Sequence, residues 1–135
     1  MKTSTTRQYP LEADEHKAFV NYLEVLRLPH FHVPNEQSQR AYRMVNRKLG
    51  VSSGVPDLFV IIKSERNGRS KLIAIEMKRQ RGARPTVSPK QKLWLKELKR
   101  AGIDGYVAYG ATEAIDIVRK ELEKLRKEDD NGEVF

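Results

Sequence analysis

The sequence predicts a mixed α/β domain, and three observations lead there. Two runs rich in β-branched residues, at 57–63 and 72–78, flank an Asn67-Gly68 pair, the strongest short hairpin signal. A third short run of this kind stands at 105–109. Segments at either end of the chain, and one between the second and third runs, repeat their apolar residues at spacings of three and four. The order is helix, strand, strand, helix, strand, helix, with a further helix open before the first strand. That order predicts a mixed sheet with helices packed on it.

Residues 1–10 read as a flexible lead-in ending at Pro10. From 11 to 28 the stripe His16, Phe19, Leu23 and Leu26 predicts a helix, stopped by Pro29. His30-Phe31-His32-Val33-Pro34 reads as a short extended piece. Residues 36–49 are compatible with a second helix that carries Arg40, Arg43, Arg47 and Lys48 and closes at Gly50. The hairpin follows. Ser88 then suits an N-cap, Pro89 the first helical position, Gln91 the capping-box position and Gly102 the C-cap. After the strand at 105–109, Ile115, Val118, Leu122 and Leu125 mark one face of a last helix over 113–127. The tail 128–135 reads as mobile. With no repeat and no second composition zone, 1–135 is expected to be one domain.

Apolar residues make up 39% and charged residues 33% of the chain, a balance that suits a folded domain. No apolar run approaches the roughly 18 residues that span a membrane, and the first residues lack the apolar core of a signal peptide. Cysteine is absent, which excludes disulfides and thiolate metal sites and suits a reducing compartment, the cytoplasm. The net charge of +8, with a pI near 9.8, points to a polyanionic partner such as nucleic acid, or else to a basic solubilising surface.

Charges at the ends of two apolar strands carry the chemistry. A hairpin centred on Asn67-Gly68 sets Asp57 opposite Lys78 and Phe59 opposite Glu76, and a loop of different length shifts this by one or two residues. In either register the start of the first strand lies beside the end of the second. Glu76 and Lys78 share one face, roughly 7 Å apart, and Asp57 lies near them. Converging carboxylates repel unless a cation sits between them, and Mg²⁺ or Mn²⁺ prefers such oxygens. Two readings stay open at this point: a divalent-metal site for phosphodiester chemistry, and a salt bridge of Asp57 or Glu76 with Lys78. Glu12 and Glu15 are both candidates for a further inward-facing acid; both also suit a first helical turn, where the helix dipole favours negative charge.

His16, His30 and His32 do not form a zinc pattern, and Trp94, Tyr106 and Tyr109 read as packing residues. The basic residues Arg40, Arg43, Arg47, Lys48, Arg79, Arg81, Arg84, Lys90 and Lys92 stand before and after the acidic ones and read as a phosphate-tracking surface.

In order, Glu12, Gly54-Val55-Pro56-Asp57, Glu76-Met77-Lys78 and Ser88-Pro89-Lys90-Gln91 resemble the VRR-NUC branch of the PD-(D/E)XK nuclease superfamily, over roughly residues 11–125. The resemblance implies a restriction-endonuclease-like mixed β-sheet core flanked by helices. It further implies that Asp57 and Glu76, with the Met77 carbonyl, bind Mg²⁺ or Mn²⁺. Lys78 would position or activate the attacking water, and Glu12 would complete the acidic cluster. Gln91 would be a site residue, although its capping role explains it as well. Asn35 resembles a site-lining position, although a turn asparagine accounts for it equally. The expected protein is a metal-dependent DNA endonuclease, of the Holliday-junction resolvase type, acting on branched or four-way-junction DNA as a homodimer. The rivals are a restriction-type or nicking nuclease of other DNA preference and a non-catalytic DNA-binding or assembly module. The nineteen residues from Asp57 to Glu76 accommodate the hairpin, and the basic run at 79–87 is either a DNA-contacting loop or merely an exposed one.

Overall fold

The computed structural model describes residues 12–34, 54–66, 68–80 and 86–130. The expected helix at 36–49 lies outside them. So do Asn35, Asn67, Arg40, Arg43, Arg47, Lys48, Arg81 and Arg84. The elements are α1 (Glu12–Val25), β1 (His30–His32), β2 (Leu58–Lys63), β3 (Ser70–Lys78), α2 (Pro89–Arg100), β4 (Asp104–Tyr109) and α3 (Ala111–Asp130). The strands form one sheet in the order β1-β2-β3-β4. β1 and β2, and β2 and β3, pair antiparallel, whereas β3 and β4 pair parallel. The expected mixed α/β architecture is therefore present. No helix among the described residues is long and apolar enough to cross a membrane.

Strand alternation divides the sheet into two unlike faces. Leu58, Val60 and Ile62 of β2 join Ile73, Ile75 and Met77 of β3 in a core completed by Phe19 and Leu23 from α1 and by Ala114, Val118 and Leu125 from α3. Each fully buried aliphatic side chain of this kind contributes about 1.5–3 kcal/mol. On the other face stand Ala74, Glu76 and Lys78, with α2 alongside, and α2 has no buried residue. Trp94 is half-buried there rather than part of the core.

Three expectations are corrected. α1 stops at Val25, not at residue 28. The amide of Leu28 bonds to the Leu23 carbonyl and that of Arg27 to the Glu24 carbonyl, each at 3.0 Å, with Arg27 at φ 57°. This Schellman closure turns the chain before Pro29 is reached. It leaves Leu26 exposed and buries Leu28 in its place. The hairpin does not turn on two residues. Its last strand pair is Lys63 with Ser70, and the amide of Ser64 bonds to the Arg69 carbonyl at 2.8 Å across a longer loop. The register is thereby displaced by two: Phe59 meets Ala74, and Asp57 comes level with Glu76 instead of Lys78. Because the displacement is even, the faces are unchanged. Finally, α3 begins at Ala111 and continues to Asp130, so 128–130 are helical rather than part of a tail. The piece at His30–His32 is an edge strand, with Phe31 stacked on Phe59 at 5.1 Å between ring centroids.

Toward the hairpin end of β3, a polar network ties the sheet to α3. Glu121 is buried, accepts the Tyr106 hydroxyl and lies 2.9 Å from the Lys71 ammonium, which also reaches Asp104 at 2.9 Å. The Lys71 hydrogen bond holds the Asp104 carboxyl below its usual range. Burial pushes Glu121 upward, but Tyr106 and Lys71 outweigh it, and its carboxyl also lies low. Carboxyls depressed in the folded state add stability above their unfolded pKa, about 4, and that stability disappears as pH falls through the folded values. Urea unfolding between pH 3 and 7 is therefore expected to show stability falling on the acid side. Lys71→Met should cost about 1–3 kcal/mol at neutral pH and flatten that fall; an acid limb identical in the two proteins would refute the assignment.

Candidate active site

Asp57 owes its position to a backbone only glycine provides. Gly54 has φ +89°, and a Cβ there would come within 2.8 Å of the Lys90 backbone at the start of α2. The loop therefore rests directly on α2, and Pro56, also buried, delivers Asp57 to the head of β2. Asp57 is 1% exposed. Its carbonyl accepts the Val33 amide at 2.8 Å, and its Oδ1 accepts the Met77 amide at 3.2 Å. The carboxylate is thus anchored on the neighbouring strand by a charge-assisted bond.

Across from it, Glu76 and Lys78 project from the α2 face of β3, whereas Met77 between them is fully buried in the core. Gln91 joins the two charges. Its Nε2 donates to Glu76 Oε2 at 3.1 Å, and its Oε1 accepts the Lys78 Nζ at 3.1 Å. Lys78 Nζ lies 3.9 Å from the same Glu76 oxygen. The Gln91 Oε1 also accepts the Ser88 amide at 2.9 Å, and the Gln91 amide donates to Ser88 Oγ at 3.1 Å, a complete capping box. The two explanations of Gln91 are therefore one geometry. A glutamate would cap the helix equally well, but only the amide side chain has a donor to turn toward Glu76.

A third acid approaches from the other layer. Glu15 is 7% exposed, and its Oε2 has no hydrogen-bond partner among the described residues. It lies against Gly110, which has φ +95°. A Cβ there would stand 2.5 Å from Glu15 Oε2 and 2.6 Å from Gln80 Cγ. The Gly110 amide donates to the Lys78 carbonyl at 3.0 Å, so Glu15 reaches the same end of β3 as the other charges. Glu12 opens α1, and its side chain lies outside the described residues. Gln80 and Gly110 escaped the sequence reading. The available signal was Gly110 just ahead of a helical stripe, with Glu113 three residues on, whose carboxylate accepts the Tyr109 amide at 2.9 Å.

Of the basic residues expected around the site, Arg79, Lys90 and Lys92 are exposed. His16 and His32 meet edge to face at 5.1 Å on the core side, where burial and the neighbouring ring push the His16 imidazole below its usual range.

The chemistry of these donors suits a hard divalent cation. Asp57, Glu76 and Glu15 offer only carboxylate oxygens, and the orphaned Oε2 of Glu15 is an acceptor awaiting a partner. No three His, Cys, Asp or Glu side chains converge at metal-holding spacing among the described residues.

The Gly54 contact yields a direct expectation. Gly54→Ala forces a side chain onto the Lys90 backbone at a strained φ and should cost about 1–3 kcal/mol, read as a lowered midpoint in urea. An unchanged midpoint would show that the loop does not rest on α2 as described.

The family model of the VRR-NUC domain matches residues 11–112. A solved structure described as a VRR_NUC domain protein superposes with a TM-score of 0.59 over 91% of this chain and 92% of that one. Its sequence is 21% identical, so the likeness is one of fold. A comparison with curated proteins finds no match. The Gly-x-Pro-Asp turn, the Glu-x-Lys strand end and the Ser-x-x-Gln cap all fall within the matched span, and the chain belongs to the VRR-NUC domain family, a nuclease-type domain.

Proposed function

We propose that this protein is a Mg²⁺- or Mn²⁺-dependent DNA endonuclease that hydrolyses phosphodiester bonds, selects branched DNA of the four-way-junction type, and works as a homodimer in the cytoplasm. The observation that carries the reading is the cluster in which Gln91 bonds both Glu76 and Lys78 while Asp57 stands level with Glu76. A surface meant only to hold DNA gains nothing from buried carboxylates beside a phosphate.

Asp57 and Glu76 would hold the metal, with the Met77 carbonyl as a further ligand and Glu15, at the same end of β3, as an additional acid. When bound, such an ion polarises the phosphodiester and lowers the pKa of a coordinated water. Lys78 orients the attacking water and offers positive charge where the phosphorane oxygens become more negative. Gln91 keeps the Lys78 ammonium directed into the site and keeps Glu76 from swinging away, a positioning role. Arg79 and Lys90 flank the cluster and hold phosphates on either side. Junction preference and dimerisation rest on the family resemblance and on the net charge of +8, which suits a ligand with several converging strands.

Incubation with labelled linear, flapped and four-way-junction DNA in Mg²⁺, Mn²⁺ or EDTA tests the reading. Cleavage is expected with metal and none with EDTA, fastest on the junction. Asp57→Ala and Lys78→Ala should each lower the rate about 10²–10³-fold or more. Absence of cleavage on every substrate, or full activity in both variants, would overturn it. Equal cutting of all three DNAs would leave a nuclease without junction preference. Gln91→Glu should keep the helix cap yet lower both the melting temperature and, on the order of 10²-fold, cleavage, because a carboxylate then faces Glu76. Glu15→Gln against Glu12→Gln identifies the helical acid. The reading expects the larger loss at Glu15.

A further inference from the structure

At the end of the sheet opposite the carboxylates, the hairpin loop and α3 enclose an open cavity of about 530 Å³. Lys63 and Arg66 of the hairpin and Arg119 and Arg126 of α3 are among the residues that line it. The two α3 arginines are seven residues apart and therefore lie on one helical face. Two acids, Glu65 and Glu123, also line the cavity, and Glu123 is occupied by Lys127 at 3.3 Å. Lys63, Arg119 and Arg126 form no ion pair with a described residue. Cations gathered around one open hollow repel one another, and an anion placed between them relieves the repulsion.

The cavity cannot serve the same phosphate as the active site. Six residues of strand separate Asp57 from Lys63, about 20 Å at the usual rise. That span corresponds to about six nucleotides of duplex at 3.4 Å each. Every basic residue assigned above to the active-site surface lies elsewhere in the sequence, so this set is independent of it.

We propose that this cavity is a second phosphodiester site, holding a nucleic-acid backbone segment remote from the bond under attack. The inference rests on the nuclease reading for the identity of the polyanion, and it extends that reading with a second point of attachment for an arm of the substrate.

Two arms test it, both in EDTA so that binding is separated from cutting. In the first, inorganic phosphate is titrated into the full chain, and amide shifts are followed by NMR. Shifts grouped at 63–66 and 119–126 are expected, and they should vanish in Arg119→Gln/Arg126→Gln. In the second, a 30-base-pair duplex is titrated at several salt concentrations. The double variant should bind more weakly, with a salt dependence shallower by about 1–2 in log–log slope. Lys63→Gln/Arg66→Gln, on the other wall, should reproduce the effect and guards against a folding defect in the first pair. Unchanged affinity and slope in both variants would overturn the proposal. Phosphate shifts without a change in duplex binding would also overturn it, leaving a site for free phosphate alone. A protein that binds duplex through this cavity but cuts no DNA would keep the second site and lose the nuclease reading.

Discussion

Two carboxylates on adjacent strands, level with one another and largely out of water, impose the constraint around which this fold is arranged. Like charges on neighbouring strands repel, and burial gives neither Asp57 nor Glu76 any relief. Relief arrives from three directions. The Met77 amide meets Asp57, the Gln91 amide meets Glu76, and the Lys78 ammonium stands 3.9 Å from Glu76. Gln91 can take part only if the chain leaves β3, crosses over the sheet as α2 and returns as β4 parallel to β3. The one parallel pairing in the described sheet is therefore the route by which the Gln91 amide reaches Glu76.

The alternation of a strand lets this arrangement coexist with an ordinary core. Glu76 and Lys78 face α2 while Met77, between them, packs with Ile73 and Ile75 on the opposite side. Charge and apolar packing are thus stacked on the two faces of one strand, separated by the thickness of the backbone. The arrangement also explains why α2 needs no buried residue. Among the described residues it is tied to the sheet by the Gln91 bonds to Glu76 and Lys78, by the Gly54 loop resting on its first turn and by Leu95 against Gly105. The core and the site can vary with considerable independence.

Much of this was legible in the sequence wherever the signal was local. The capping box at Ser88 and Gln91, the alternation of Glu76-Met77-Lys78 and the stripe of α3 are each decided by a few neighbouring residues, and all appear as expected. The register of the hairpin was less legible. Asn67-Gly68 is a strong turn signal, but the loop that forms is longer, because strand pairing over β2 and β3 outweighs the preference of two residues. The end of α1 was misread for a similar reason: Arg27 takes a left-handed conformation that its side chain does not advertise. Glu15 could not be separated from Glu12 by periodicity, since both lie near an inward stripe. Glu15 packs against a glycine almost a hundred residues away, a contact of tertiary structure that no local pattern encodes.

The hairpin loop lies at one end of β2 and β3 while Asp57 and Glu76 lie at the other, and pairing from Leu58–Ile75 to Lys63–Ser70 intervenes. Lengthening a flexible loop costs little, about 0.6 kcal/mol for each doubling, and insertion there leaves the ladder between undisturbed. The nineteen-residue interval is therefore not what the chemistry measures; what must be preserved is that Asp57 and Glu76 stay level across the strands. Insertions and deletions at this tip are silent to the acids. Descendants of this sequence can accordingly drift in spacing, and acquire new surface on that loop, without surrendering the cluster at its far end.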